Sequence, residues 1–201
     1  IRVIAESPHR RGVLAVGTDD GLVQVTQDHG ETWQTTEALP GVPELALVRR
    51  VVLSAHDADT IYVASSNHEH NDFTPYLMKS TDFGRSWVSI VGNLPQDQHI
   101  RALAEHPRNP NLVFVGTERG VWVSIDGGGH WVPLNNNLPS VPVHDMVIHP
   151  RENDLVIGTH GRSIWILDDI NMLEELSAVV LAAEARLFSV SPTLQFNPFN
   201  R

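Results

Sequence analysis

Three short segments of the chain repeat one pattern, Ser/Thr-x-Asp-x-Gly-x-x-Trp, and this repeat restricts the fold more than any other feature. The segments are TQDHGETW from Thr26, STDFGRSW from Ser80 and SIDGGGHW from Ser124, so that successive aspartates are 54 and 44 residues apart. A period of this length is typical of repeat architectures, in which each repeat forms one supersecondary unit.

The repeated pattern has the chemistry of a tight turn between two strands, and we name it the Asp turn. An aspartate side chain can accept hydrogen bonds from the backbone of the turn that follows it. A glycine adopts positive φ at little cost, and we expect each tryptophan to anchor the start of the next strand in the core. These residues are therefore assigned a structural role: Asp28, Gly30, Trp33, Asp82, Gly84, Trp87, Asp126, Gly128 and Trp131.

The third repeat shows most clearly which strands surround an Asp turn. Alternating or continuous apolar segments lie at 99–107, 111–117, 120–126 and 130–135, and short turns with Pro, Asn or Gly separate them. This order is typical of an antiparallel meander of four strands. The first repeat has the same order, and the second adds an insertion at 67–74.

Repeated four-stranded meanders of about 40–50 residues predict the blades of a β-propeller. We expect an all-β propeller of about four blades, the fourth lacking its outer strand, with a short helical C-terminal extension. A piece of a larger propeller in a longer chain is favoured, and a closed four-bladed ring is the alternative. The predicted blades span 1–40, 46–95, 99–138 and 142–170, and the helical and extended segment spans 171–201.

Within the C-terminal segment, residues 171–183 are rich in Leu, Glu and Ala and predict one or two short helices. Residues 185–192 are a candidate for a further strand, and the Pro- and Asn-rich end is expected to be extended.

Charge and composition exclude several classes of partner. A formal net charge of −10, with no basic run longer than the pairs Arg10-Arg11 and Arg49-Arg50, argues against nucleic-acid binding. No apolar stretch reaches the roughly 18 residues of a membrane span, and no signal peptide is visible. The absence of cysteine excludes disulfides and thiolate metal sites. No cofactor is predicted, and a chain that starts at Ile1 without methionine is expected to be part of a longer one.

The chain resembles the Asp-box, or bacterial neuraminidase repeat (BNR), propellers over roughly residues 1–190. The resemblance rests on GTDDGLVQVTQDHGETW, FVGTERGVWVSIDGGGHW and VPVHDMVIHPRENDLVIGTHGRSIWILDD, which are most similar to bacterial sortilin-like proteins described as glycosyl hydrolases. It implies a propeller in a periplasmic or secreted protein. It does not imply one activity, because such propellers include catalysts, receptors and scaffolds.

The residues of the related enzymes are not all present. A sialidase of this kind uses three arginines, a tyrosine nucleophile with its glutamate, and an acidic aspartate. This chain has only Tyr62 and Tyr76, both at strand positions, and lacks an Arg-Ile-Pro segment, which argues against a sialidase. The related glucanases use two aspartates from different blades, and no motif here indicates such a pair.

Propeller topology predicts where a ligand would bind. The loop between the second and third strands of a blade and the link to the next blade lie on one face, here named the loop face, whereas the Asp turns lie on the opposite, or turn, face. The loop face is predicted to gather charged residues from all four repeats. Two interpretations stay open: polar residues filling exposed turns, or a rim for a sugar or a peptide end. The residues are Asp19, Asp20, the loop 67–74, Glu118, Arg119, His160 and Arg162.

The insertion at 67–74 is the strongest single indication of ligand recognition, because insertions at such a face commonly carry it. His68, His70 and Asp72 alternate, so that in an extended chain all three would point the same way. Two imidazoles and a carboxylate suit a transition metal. The preferred interpretation is a solvated loop, and no metal is predicted.

Other histidines and tryptophans are assigned to the framework. His106-Pro107 and His149-Pro150 occupy equivalent strand ends and indicate a turn device, and Trp122 and Trp165 are expected to pack between blades. Gly161 is expected to allow a tight bend that directs His160 and Arg162 toward the axis.

Two functions of different classes follow. The first is a non-catalytic module that binds a peptide, protein or glycan through Arg119, His160, Arg162, His68 and His70. The second is a glycoside hydrolase, which needs one acid with a raised pKa beside an ionised partner. A binder should instead have carboxylates neutralised by Arg119 and Arg162. The candidate catalytic acids are Asp19, Asp20, Asp72 and Glu118.

Overall fold

The computed structural model describes residues 1–190, in which antiparallel sheets follow one another along the chain. The first sheet contains β1 (Val3–Glu6), β2 (Leu14–Gly17), β3 (Val23–Thr26) and β4 (Gln34–Thr36). The second contains β5 (Leu47–Leu53), β6 (Ile61–Asn67), β7 (Asp72–Ser80) and β8 (Val88–Ser89).

The other sheets continue the pattern toward the C-terminus. The third contains β9 (Ile100–Glu105), β10 (Val113–Thr117), β11 (Gly120–Ser124) and β12 (Val132–Pro133). The fourth has three strands, β13 (Val143–Ile148), β14 (Leu155–Thr159) and β15 (Ile164–Leu167). Strands pair in chain order within each sheet. The fold is therefore a partial β-propeller, which confirms the predicted fold class.

The core lies between successive blades and follows from their burial patterns. Three apolar clusters join the first blade to the second, the second to the third, and the third to the fourth. Strand β10 is buried at every residue because blades cover both faces of its sheet, which is why it reads as a continuous apolar run. Strand β15 alternates exposed and half-buried residues because its sheet is covered on one face only. Trp122 and Trp165 join these clusters, as predicted.

The predicted turn chemistry is present at each Asp turn. At the first, Asp28 Oδ1 accepts hydrogen bonds from Thr26 Oγ1 at 2.7 Å and from the backbone N–H of Thr32 at 2.9 Å. The second and third turns repeat both bonds around Asp82 and Asp126. A hydrogen bond from the Thr32 hydroxyl, together with the bonds from the Thr32 N–H and Thr26, lowers the pKa of Asp28 to about 2. The three aspartates are thus committed to the turns.

The expectation that every Asp-turn tryptophan is anchored in the core is wrong for Trp33, which is 41% exposed, whereas Trp131 is 1% exposed. The indoles of Trp131 and Trp87 pack against the preceding blade: Nε1 of Trp131 donates to the Ile90 carbonyl at 3.0 Å, and Nε1 of Trp87 donates to Thr36 Oγ1 at 3.2 Å. Within residues 1–190, no blade lies on that side of the first sheet, so Trp33 stays exposed.

The C-terminal segment forms two short helices, α1 (Asn171–Glu175) and α2 (Ala178–Leu181), where helices were predicted. The strand predicted at 185–192 is absent from residues 185–190, because Glu175 accepts the Ser189 N–H and the Arg186 guanidinium and so holds this segment beside α1. Residues 191–201, including the end predicted to be extended, lie outside the described part. No helix within 1–190 is long and apolar enough to span a membrane.

Candidate functional site

The two faces of the propeller separate as the topology predicts. The loop after β2 meets the start of β5 in the next blade, where the Val48 N–H donates to the Thr18 carbonyl at 2.9 Å. On the opposite face, the third Asp turn meets the loop between the first two strands of its blade, where the Gly127 N–H donates to the Asn111 carbonyl at 2.8 Å. The residues of the loop face thus stay the candidates for contact with a ligand.

The framework histidines behave as predicted. Nδ1 of the buried His106 accepts the backbone N–H groups of Arg108 and Asn109, each at 3.1 Å, and His149 Nδ1 accepts from Glu152 at 3.0 Å. Both histidines therefore form turns rather than a site.

A cavity of about 500 Å³ opens on the loop face between the second and third blades, and we name it the ring cleft. It contains the predicted residues His68, Glu118 and Arg119, Phe73 of the predicted loop 67–74, and three residues that the sequence did not indicate. Its lining consists of His68, Phe73, Asp97, His99, Arg101, Glu118 and Arg119.

Three rings form one wall of the ring cleft. The imidazoles of His68 and His99 stack with centroids 4.7 Å apart and planes 13° apart, and Phe73 lies 6.0 Å from His99. His99 is fully buried, whereas Phe73 is 44% exposed. The wall therefore runs from the protein interior to an apolar ring surface that faces solvent.

His99 is the most unusual group in the cleft. Neither ring nitrogen has a hydrogen-bond partner among the described residues, although Nε2 lies 3.0 Å from Oε1 of Glu118. Burial lowers the pKa of His99 to about 4, against the opposing effect of Glu118. The ring is therefore neutral at pH 7, and a buried polar group without a partner costs about 1–3 kcal/mol.

The acidic groups of the cleft are neutralised by arginines. Glu118 forms a close ion pair with Nε of Arg101, and Arg119 Nη1 lies 2.9 Å from Oδ2 of Asp97. Neutralisation of Glu118 thus comes from Arg101 rather than from Arg119. Both arginines carry planar forks suited to bidentate contacts with a ligand.

The loop 67–74 is not extended as expected. Residues His68–His70 form a 3₁₀ turn that ends in a left-handed Asn71 with φ of 59°. The two imidazoles have different partners: His68 Nδ1 lies 3.0 Å from Ser66 Oγ, and His70 Nδ1 lies 2.8 Å from Asn67 Oδ1. Among residues 1–190, no group of three or more histidine and acidic side chains is arranged to hold a metal ion.

Asp72, the third member of that pattern, is held by its own loop. Its Oδ2 accepts from the Tyr76 hydroxyl at 2.7 Å and from Asn67 Nδ2 at 3.1 Å. Burial raises the pKa of Asp72, but the hydrogen bonds from Tyr76, Thr74 and Asn67 outweigh it and lower the pKa to about 2. This is the opposite of the shift that a catalytic acid requires.

The other predicted loop-face residues lie outside the ring cleft. Asp19 and Asp20 are exposed, and Asp20 accepts from the hydroxyl of Thr18 in its own turn. His160 stacks on His144 of β13 with centroids 4.9 Å apart. Arg162 is exposed, and no ion pair is found for it within the described residues.

A second cavity, of about 360 Å³, lies on the axis and is lined by Arg2, Arg49, Arg50, Arg101 and His144, which we name the axial arginine cluster. Each blade contributes through its first strand: Arg49 and Arg50 lie on β5, Arg101 on β9 and His144 on β13, and Arg2 immediately precedes β1. Arg101 belongs to both cavities. The sequence feature that could have indicated this cluster is the pair Arg49-Arg50 in the otherwise apolar strand β5.

Comparison with known proteins places the chain among β-propellers. No family model matches it. A xyloglucanase of Hypocrea jecorina (strain QM6a) is 28% identical in an alignment of 138 residues that covers 60% of this chain and 16% of that protein. A GH74 xyloglucanase structure from Xanthomonas campestris superposes with a TM-score of 0.66 at 19% identity, covering 84% of this chain and 29% of that one.

A structure of YCF48 bound to D1 peptide superposes with a TM-score of 0.58 at 14% identity, covering 83% of this chain and 55% of that one. The chain thus spans less than a third of the xyloglucanases it resembles and about half of YCF48. These likenesses show the fold, a β-propeller, and do not show the sortilin-like assignment.

Proposed function

We propose that this chain is a non-catalytic part of a larger propeller and that it binds a glycan in the ring cleft. The observation that carries the proposal is a wall of three rings, Phe73, His68 and His99, that shares one cavity of about 500 Å³ with arginine and carboxylate side chains. A sugar ring has an apolar face that stacks on such rings, and its hydroxyl groups bind to the polar side chains.

A glycan is preferred to a peptide on one further ground. A xyloglucanase is 28% identical to part of this chain, whereas the peptide-bound YCF48 is similar in fold at 14% identity. A peptide remains the second ligand class. By resemblance, we expect a periplasmic or secreted protein whose other blades lie in a longer chain.

Binding is preferred to hydrolysis because of the state of the carboxylates. Glu118 is engaged by Arg101 and lies beside His99, and the pKa of Asp72 is lowered to about 2. The alternative, a glycoside hydrolase using acids of adjacent blades, makes a separate prediction. A Glu118→Gln variant would lose any release of reducing ends if Glu118 were catalytic; an unchanged rate would remove it from the catalytic candidates.

Isothermal titration with a neutral xyloglucan oligosaccharide tests the proposal. Replacing Phe73 with alanine removes the exposed ring and should weaken binding about tenfold, the equivalent of about 1.4 kcal/mol. Trp33→Ala is the matched control, because Trp33 is similarly exposed but lies on the turn face. Absence of binding to the parent protein, or equal affinity in the Phe73→Ala variant, would contradict the proposal.

A further inference from the structure

Four guanidinium groups converge on the propeller axis of an otherwise acidic chain. Arg49 and Arg50 lie on β5 and Arg101 on β9, whereas Arg2 immediately precedes β1. All four line one open cavity of about 360 Å³ with His144 of β13. The formal net charge of the chain is −10, so this concentration of positive charge runs against its overall balance.

Ion pairs within the described residues engage two of the four arginines. Arg50 pairs with Asp145 and also donates to the His144 carbonyl at 3.0 Å, and Arg101 pairs with Glu118. The side chains of Arg2 and Arg49 have no hydrogen bond or ion pair among the described residues. Two guanidinium groups are therefore left to face the axial cavity.

The crowding of positive charge also affects the pKa values of two members of the cluster. Burial, together with the positive charges of Arg101, Arg2 and Arg50, lowers the pKa of Arg49. Burial and the nearby Arg101 also lower the pKa of His144. Like charges held together by rigid inner strands produce a positive potential, and a bound anion relieves their repulsion without reorganising the frame.

We propose that the axial arginine cluster is an oxyanion site that receives the acidic group, a carboxylate or a phosphate, of the ligand in the ring cleft. The oxyanion site stands on the cluster alone, and its link to a glycan rests on the proposed function. The two cavities share Arg101, so a ligand with a sugar at the rings and an acid group at the axis would span both. Planar guanidinium forks bind both oxyanions bidentately.

Titration with three small probes tests the site: glucuronate, its neutral counterpart glucose, and inorganic phosphate. Glucuronate, phosphate or both should bind more tightly than glucose, and the affinity should fall as sodium chloride is raised, because salt screens exposed charges. Tighter binding of glucuronate identifies a carboxylate source, and tighter binding of phosphate identifies a phosphate source. If neither anion binds better than glucose, the proposal is overturned.

The decisive variant is Arg49→Gln, which removes a guanidinium without breaking any described ion pair. It should weaken anion binding about tenfold or more. Arg151→Gln is the control, because Arg151 is an exposed arginine beside Glu152. Parent-like anion affinity in Arg49→Gln would refute the site.

The Phe73→Ala variant separates this inference from the proposed function. It should lose affinity for the neutral oligosaccharide but retain affinity for the small anions. Anion binding without oligosaccharide binding would leave the arginine site standing and remove the ring cleft as a glycan site. Oligosaccharide binding without anion binding would leave the ring cleft standing as a glycan site and remove the arginine site.

Discussion

Trp131 offers a direct test of how the blades hold one another. It is 1% exposed, and its Nε1 donates across the blade boundary to the Ile90 carbonyl at 3.0 Å. Trp33 occupies the same place in the first Asp turn and donates to the Gly30 carbonyl at 3.1 Å, but it is 41% exposed. The two tryptophans therefore differ mainly in that a preceding blade covers Trp131 and none covers Trp33 within the described residues.

The burial of each indole sets the expected cost of its removal. A buried tryptophan removes about 200 Å² from water, which at about 25 cal/mol per Å² is about 5 kcal/mol, and alanine keeps about 1 kcal/mol of it. Trp131→Ala should therefore lower the free energy of unfolding by about 4 kcal/mol, within the range for large core deletions. Trp33→Ala should cost about 2 kcal/mol, because solvent already reaches part of its ring.

Thermal unfolding followed by circular dichroism measures both variants. A loss of 1 kcal/mol lowers the Tm of a domain of this size by about 2–4 °C, so we expect about 8–16 °C for Trp131→Ala and about 4–8 °C for Trp33→Ala. Equal losses in the two variants, or a larger loss for Trp33, would refute the conclusion that the indole is stabilised by the preceding blade.

Three further predictions concern other parts of the framework. Gly128→Ala should destabilise more than Gly30→Ala in urea, because both positions have positive φ but the added Cβ at Gly128 would lie 2.9 Å from Ile90; equal losses would contradict this. The free energy of unfolding should fall as pH is lowered from 6.5 toward 4, because His99 binds a proton in the unfolded chain but stays neutral in the folded one, where its pKa is about 4. The same dependence of stability on pH in the His99→Gln variant would contradict this. Arg108→Ala should speed proteolysis at α1, because Arg108 Nη2 binds Glu174 at 2.6 Å; an unchanged rate would show that this contact does not hold the helix.

The fold was predictable because one turn recurs at one spacing. Each Asp turn combines an aspartate that accepts backbone hydrogen bonds, a glycine at positive φ and a following strand. These are local requirements, so the residue types at each position are enough to predict the turn. The burial of the Asp-turn tryptophans could not be predicted in the same way, as Trp33 shows. Its exposure depends on whether another blade lies beside it, which is a property of the assembly rather than of the turn.

The site was predictable in part for a similar reason. Topology placed Glu118, Arg119 and His68 on the loop face, and the structure brings them into one cleft. The alternation of the loop 67–74 was misleading, because a 3₁₀ turn changes the direction of successive side chains. His99 and Arg101 were missed because they lie at the start of an apolar strand, where sequence alone does not show that neighbouring blades bring them together.

Amide chemical-shift mapping with a neutral xyloglucan oligosaccharide tests the central claim, that a glycan binds in the ring cleft. We predict saturable shifts at residues 68–73, 97–101 and 118–119, and none at the Asp turns 26–33, 80–87 and 124–131. Shifts confined to the turn face, or no shifts at millimolar oligosaccharide, would contradict the claim.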